Sequence, residues 1–165
     1  MTLKYDIDTF TKHLEQYTCD YLRREIAFEN VTSRTQLLEI PELELKPITA
    51  LISVAGDTNV LVAASFDWPL MRVLTGNFLD TAVAEVEEDD CLDMASEFIN
   101  IIIGLCTSNL DHHDGHPILF SPPVIIEDAK TIRHHRDSLF FRIDLFTEAG
   151  DMNLNCIGPR DIFAH

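Results

Sequence analysis

The strongest helical pattern in this sequence runs from residue 90 to residue 111. At 100° per residue its apolar side chains gather on one broad face, which holds Leu92, Ala95, Ile99, Ile102, Ile103, Cys106 and Leu110 and is widened by Met94, Phe98, Ile101 and Leu105. The remaining strip is polar and carries Asp93, Glu97, Asn100, Gly104, Thr107, Ser108 and Asp111. The pattern therefore predicts one long helix with a core-facing side and a polar strip.

Three positions of this strip have a defined spacing. Glu97 and Asn100 stand three residues apart, so their side chains project side by side from adjacent turns. Gly104 follows one turn later, although glycine costs about 1 kcal/mol relative to alanine in a helix interior. A missing side chain at that position would let another surface approach closely. Taken alone, such a strip is typical of a solvated helix face.

The first half of the chain predicts a helix and a strand pair. Asp6 or Asp8 can cap a helix that runs to about Ala27, with a core-facing stripe of Phe10, Leu14, Tyr17, Tyr21 and Phe28. Residues 29–41 are mixed in character and indicate a loop or an irregular edge strand. Residues 42–54 and 60–66 predict a hairpin around a glycine turn, with Pro47 at an edge or a bulge.

The second half predicts a short helix and the rest of a sheet. Asp67 and Pro69 begin a helix that ends at Gly76. Residues 118–126 are apolar around two prolines, residues 138–147 form a strand covered on both sides, and residues 152–157 pair back after a turn at Gly150. We therefore expect an α+β fold with a mostly antiparallel sheet, in a single domain spanning residues 1–165.

Composition excludes several classes of function. Twelve basic and 28 acidic residues give a formal net charge of −16, which opposes binding to nucleic acid and to anionic membranes. Residues 1–20 show no secretory signal, and no unbroken apolar run is long enough for a membrane span. Four cysteines without a C-x-x-C spacing indicate reduced thiols and a cytoplasmic location.

Two clusters of polar residues are candidate metal sites. Six acidic residues between positions 85 and 93 suit a helix N-terminus and lack the spacing of a calcium loop. The segment 112–116 holds three histidines and Asp114, which could ligate a transition metal in a metal-dependent hydrolase. Gly115 and Pro117 disfavour a helix there, and no ligand from elsewhere is identifiable. We therefore predict a surface turn and no metal site.

The catalytic motifs of common enzymes are missing from the sequence. It has no G-x-S-x-G, no P-loop and no G-x-G-x-x-G. An amide and a carboxylate on a rigid helix suit one reaction class, the hydrolysis of a phosphoryl group, in which the protein mainly positions a water. The carboxamide of Asn100 could orient that water, and Glu97 could hold a cation of the substrate's own site.

The spacing Asp93-x-x-x-Glu97-x-x-Asn100-x-x-x-Gly104 resembles the helix motif of the CheC/CheX family of chemotaxis phosphatases. It lies nearer to CheX because only one copy is present. Leu110, Gly115 and the Ser-Pro-Pro-Val of residues 121–124 resemble the family segment that leads into the next strand. The resemblance implies a CheX-like fold, with two long helices and one short helix packed on one sheet.

The resemblance also implies a function. The substrate would be the aspartyl phosphate of a CheY-like response-regulator receiver domain, whose own pocket carries Mg²⁺ and a lysine, so that the chain needs no cofactor of its own. Asn100 would place the attacking water and Glu97 would engage the receiver lysine. Gly104 would permit close docking, and Asp93 would lie at the rim of the contact. Because the family includes dimers, a homodimer through an edge strand is expected.

A second class of function stays open. CheC- and FliM-like proteins of signalling or flagellar complexes share related folds without needing the Glu and Asn pair, so the chain could be a non-catalytic interaction module. The pair at Glu97 and Asn100 favours the enzyme. Neither the identity of the receiver nor a role in chemotaxis follows from the sequence.

Overall fold

A computed structural model describes residues 7–56, 59–108, 118–128, 130–133 and 135–163. It confirms the α+β class. The elements in chain order are α1 (Ile7–Arg24), β1 (Val31–Leu38), β2 (Glu42–Glu44), β3 (Ile48–Ala55), β4 (Val60–Phe66), α2 (Trp68–Leu79), a 3₁₀ turn (Val83–Glu85), α3 (Glu88–Ser108), β5 (Leu119–Phe120), β6 (Val124–Glu127), β7 (Thr131–Arg133), β8 (Ser138–Thr147), β9 (Gly150–Pro159) and the short α4 (Arg160–Phe163).

Among the described residues the main sheet has seven strands in the order β1-β8-β9-β4-β3, with β5 and β6 both paired to the far side of β3. All of its pairings are antiparallel. The predicted hairpins are present as β3–β4 and β8–β9. Strands β2 and β7 form a separate two-stranded ribbon. Within the described residues β1 pairs with β8 alone, so it is an edge strand.

One face of the sheet carries the helices. Helix α3 lies against β3 and contacts both α1 and α2, and its buried side chains join a core built around Phe10, Phe66 and Phe98. The ribbon of β2 and β7 covers part of the other face, where Leu43 and Leu45 pack on Phe140. Strand β8 is thus covered on both sides, as predicted: Phe140 packs under the ribbon, and Ile143 packs in the core beneath the helices.

The C-terminal end of β8 is more exposed than predicted. Phe146 is 38% exposed, and the guanidinium carbon of Arg34 lies 5.9 Å from its ring centroid. The same face is polar beside it: the buried carboxylate of Asp144 accepts hydrogen bonds from Arg34 at 3.1 Å and from Arg142 at 2.7 Å. These two partners satisfy a charge that burial would otherwise make costly.

Several element boundaries differ from those predicted; α1, for example, ends at Arg24 rather than at about Ala27. Residues 42–54 do not form one strand, because the chain leaves the ribbon after Glu44 and enters the main sheet at Ile48, beyond Pro47. Residues 31–38 form an edge strand, one of the two predicted alternatives, and the strand is regular. Helix α2 continues to Leu79 and ends at Asp80, which adopts the left-handed conformation with φ of 53°.

Gly76 lies inside α2 at a point where the backbone of Thr81 comes close to the helix. A β-carbon at this position would lie 2.8 Å from the carbonyl oxygen of Thr81. The Thr81 amide donates a hydrogen bond to the Gly76 carbonyl at 2.9 Å. The glycine therefore admits the chain that folds back after the helix instead of ending the helix.

Length and mean hydropathy alone would let α3 cross a membrane. The helix has 21 residues and a mean hydropathy of 1.3 over its most apolar window, of which 50% is buried inside the protein. Core helices pass the same test, and the apolar face of α3 packs on the sheet and on its neighbouring helices.

Candidate functional site

Helix α3 has two clearly different sides. Nine of its residues are buried: Cys91, Met94, Ala95, Phe98, Ile99, Ile102, Ile103, Cys106 and Thr107. On the opposite side Asp93 and Glu97 are exposed, and Asn100 and Gly104 are half-buried. Their spacing places these four residues along one strip of the helix surface. We call Asp93, Glu97, Asn100 and Gly104 the α3 strip.

Two residues of the helix differ from the predicted pattern. Thr107 was placed with the polar residues but is buried, and its hydroxyl donates to the Gly104 carbonyl at 3.3 Å. A threonine hydroxyl satisfied within its own helix can be buried without an unpaired donor. Leu105, predicted to widen the apolar face, is 40% exposed. Leu110 and Asp111 lie outside the described residues.

The N-terminus of α3 accounts for the acidic segment before it. Glu88, Asp89 and Asp90 occupy the first turn of the helix. Negative side chains there face the positive end of the helix dipole and the unpaired backbone N–H groups. The acids therefore have a structural role, as predicted.

The carboxylate of Glu97 has no cationic partner among the described residues. The ion pairs of this part of the chain use other acids, namely Glu39, Glu42, Asp67 and Asp144. Glu97 does act on the phenol of Tyr21 in α1. Burial, then Glu25 and then Glu97 raise the pKa of Tyr21 above its ordinary value. Glu97 thus faces solvent and acts electrostatically on a phenol of α1.

The side chain of Asn100 shows no hydrogen bond within the described residues. It lies one turn after Glu97 and is half-buried. A carboxamide offers two N–H donors and a carbonyl acceptor, so Asn100 can bind a water and a second polar group at once. Because a carboxamide is not a base near neutral pH, Asn100 is suited to orient a water molecule and not to remove a proton from it.

The backbone at Gly104 borders open space. A β-carbon at this position would meet nothing within 4 Å. No contact within the described chain therefore requires a glycine here, in contrast to Gly76. The half-buried backbone of Gly104 remains open to a molecule from outside.

The second predicted motif leads into β6, as expected. The Ser121 amide donates to the Ser53 carbonyl at 2.9 Å, and the Ser53 amide donates to the Ser121 hydroxyl at 3.0 Å. These bonds fix the segment to β3 just before β6 begins at Val124. The residues Leu110 and Gly115 of the same motif lie outside the described part of the chain.

No group of three or more His, Cys, Asp or Glu that could hold a metal ion occurs among the described residues. The cluster at 112–116 lies outside them, so its interpretation stays a prediction. The four cysteines are free and buried. The chemistry of the described surface at α3 is thus that of a carboxylate, an amide and an open backbone.

Residues 48–145 match the family model described as chemotaxis phosphatase CheX. This match covers more than half of the chain and includes the whole α3 strip. The chain belongs to the CheX family. No curated protein sequence matches it.

Solved structures show the same fold. The chain is similar to the chemotaxis protein CheX from Desulfovibrio desulfuricans, with 17% identity, coverage of 89% of this chain and 97% of that one, and a TM-score of 0.74. It is similar to the Borrelia burgdorferi chain in a CheX–CheY–BeF3–Mg²⁺ complex, at 16% identity, 94% and 97% coverage and a TM-score of 0.64. The FliM middle domain from Vibrio alginolyticus matches at 9% identity, 95% coverage of both chains and a TM-score of 0.54.

Proposed function

We propose that this CheX-family protein hydrolyses the aspartyl phosphate of a CheY-like receiver domain. The observation that carries the proposal is the arrangement of the α3 strip. Within the described part of the chain its carboxylate has no cationic partner and its carboxamide has no hydrogen bond; the two lie on adjacent turns, beside a glycine with open space in front of it. The family match supports the reaction class. The Borrelia burgdorferi structure joins a CheX to a CheY, which supports the choice of partner.

In this proposal Asn100 holds the attacking water. Its carbonyl accepts a hydrogen bond from the water while its N–H groups donate to the water or to a phosphoryl oxygen, which places the water in line with the P–O bond to the aspartate. The water oxygen forms a bond to phosphorus as that P–O bond breaks. The products are inorganic phosphate, a free aspartate carboxylate and a proton released to solvent.

Glu97 has a separate role. Its carboxylate pairs with the lysine of the receiver pocket, which fixes the register of the two proteins so that Asn100 reaches the phosphoryl group. Gly104 lets the receiver approach the backbone of α3, and Asp93 contacts the rim. The receiver supplies the Mg²⁺ that neutralises phosphoryl charge, so this chain contributes no metal ligand.

Three expectations belong to the same proposal. The chain acts as one domain over residues 1–165, in the cytoplasm and as a homodimer. The edge formed by β5 and β6 exposes Leu119, Phe120 and Val124, and β1 is an edge on the other side of the sheet. Light scattering on the purified protein tests the dimer, and a monomer mass at micromolar concentration contradicts it.

Phosphate release from a phosphorylated CheY-like receiver tests the proposed activity. The parent protein is expected to accelerate release, and Asn100→Ala to abolish the acceleration. Asn77→Ala is the matched control, because Asn77 is an exposed helical asparagine that lies on α2 and not on the α3 strip. Equal rates for the parent and Asn100→Ala contradict the role of Asn100. A stable complex without accelerated release would instead identify a FliM-like binding module.

A further inference from the structure

A groove of about 500 Å³ lies between the N-terminal half of α3 and the edge of the sheet at β6. Within the described residues β6 pairs with β3 alone, so the groove borders a free edge of the sheet. Three of its lining side chains are apolar and half-buried, and three are charged and exposed. In chain order the lining residues are Leu92, Ile125, Ile126, Glu127, Asp128 and Lys130. The groove therefore has an apolar floor and a charged rim.

Backbone hydrogen bonds anchor the charged rim of the groove. The Asp128 amide donates to the Pro47 carbonyl at 2.8 Å, and the Leu45 amide donates to the Lys130 carbonyl at 2.8 Å. These bonds tie the turn after β6 to the connection between β2 and β3. Neither the carboxylate of Glu127 nor that of Asp128 forms an ion pair among the described residues. An anchored backbone thus carries two carboxylates that have no cationic partner in this part of the chain.

The groove adjoins the α3 strip along one ridge of the helix. Leu92, Ser96 and Asn100 follow one another at steps of four residues, so they form a continuous row on the helix surface, and all three are half-buried. Eight residues of helix span about 12 Å. An interface of ordinary size covers about 800 Å² of each partner, which corresponds to a circle with a radius of about 16 Å. A receiver centred on Asn100 therefore also covers the groove.

We propose that this groove binds a basic side chain of the receiver, an arginine or a lysine, an inference that rests on the proposed function. The aliphatic stem of such a side chain lies on Leu92 and Ile125, while its cation reaches Glu127 and Asp128. An anionic group would meet two carboxylates and one ammonium group. A purely apolar group would cover the carboxylates without offering them a partner. The groove thus favours receivers that carry a basic side chain at this place.

The double variant Glu127→Gln, Asp128→Asn removes both negative charges and keeps the shape of the lining. Asparagine suits the second site because Asp128 has φ of 64°, in the left-handed region that asparagine also adopts. We expect KM for the phosphorylated receiver to rise about two- to fivefold, the size of effect expected for exposed ion pairs, with kcat unchanged and the unfolding temperature not lowered. Asp161→Asn is the control, since Asp161 is an exposed acid on α4 that does not line the groove. A parental KM for the double variant, or an equal rise for Asp161→Asn, overturns the proposal.

Substitutions in the receiver identify the side chain that occupies the groove. Each arginine and lysine on the receiver surface around its phosphorylation pocket, except the lysine assigned to Glu97, is replaced by alanine in turn. One of these receiver variants should raise KM with the parent protein and have no effect with the Glu127→Gln, Asp128→Asn protein. If every receiver variant has the same effect with both proteins, no basic side chain of the receiver uses the groove and the proposal is wrong.

Binding provides a readout that does not depend on hydrolysis. A receiver that carries BeF3 and Mg²⁺ has no phosphate to release, so its Kd measures docking alone. The double variant should raise this Kd about two- to fivefold, and the difference from the parent should shrink as the ionic strength rises, because salt screens exposed charges. A Kd equal to that of the parent overturns the groove as a contact. A parent that binds this receiver but does not hydrolyse the phosphorylated one overturns the proposed function instead, so the two failures are distinguishable.

Discussion

Glu97 and Phe98 are neighbours in the sequence, but on α3 the first faces solvent and the second faces the core. Glu97 is exposed on the α3 strip, whereas Phe98 is fully buried between the rings of Phe66 and Tyr21. A single peptide bond therefore links Glu97 of the proposed functional surface to Phe98 of the core. Positioning of Glu97 and of Asn100 then depends on how firmly the apolar face of the helix is packed.

Loss of the Phe98 ring should destabilise the whole fold. Phe98→Ala removes a fully buried aromatic side chain and its two edge-to-face contacts, so we expect the free energy of unfolding to fall by about 3–5 kcal/mol. Glu97→Ala on the adjacent exposed position should change it by less than about 0.5 kcal/mol. Urea unfolding of both variants measures the difference. Comparable losses at the two positions would contradict the described orientation of the helix.

The substitution Gly104→Ala should increase the stability of the protein and weaken its binding of the receiver. Nothing lies within 4 Å of the new β-carbon, so the isolated protein should gain up to about 1 kcal/mol from the better helix former. The same methyl group should hinder docking of the receiver and raise KM for it. Asn77→Ala, which also improves a helix but on α2, should leave KM unchanged. A less stable Gly104→Ala, or one with parental KM, would contradict this account of the glycine.

The buried thiols of Cys106 and Cys156 should lower the free energy of unfolding at alkaline pH. Burial raises the pKa of Cys106 to about 12 and raises that of Cys156 as well, whereas thiols in an unfolded chain ionise near pH ~8.5. Above that pH the unfolded chain releases protons that the folded protein keeps. The free energy of unfolding should then fall by about 1.4 kcal/mol per pH unit for each thiol, up to its folded pKa.

Urea unfolding at pH 7.5, 8.5 and 9.5 measures that slope. Cys106→Ala should reduce the slope, since one of the thiols no longer titrates in the unfolded chain. Stability that is constant across this range, or that rises with pH, would contradict the burial of the two thiols.

Much of α3 could be predicted from the sequence because its pattern is local. A 3.6-residue period assigns each side chain of a long helix to a face, and Asp93, Glu97 and Asn100 lie where that period places them. The helical period assigned the wrong face to two residues. Thr107 is buried, with its hydroxyl bonded within the helix, and Leu105 is exposed. These residues lie in the last two turns of α3.

Features that depend on distant parts of the chain could be predicted only in part, as the choice between a loop and an edge strand for residues 29–41 shows. The polar strand at 31–38 has mostly exposed side chains because it lies at the edge of the sheet and pairs with β8 alone among the described strands. Its sequence therefore lacks the alternation that marks a half-buried strand. Tyr21 is predicted to lie on a core-facing stripe, but no local signal indicates that its ring packs edge to face on Phe98. That contact exists only when α1 packs on α3.

In the proposed mechanism Asn100 orients the attacking water while the rest of the α3 strip binds the receiver. Single-turnover release of phosphate, with the protein in saturating excess over phosphorylated receiver, separates these two steps. For Asn100→Ala we expect the rate constant at saturation to fall by about 100-fold or more, with half-saturation at the parental protein concentration. A parental rate constant at saturation, reached only at higher protein concentration, would show that Asn100 serves binding alone and would contradict the account.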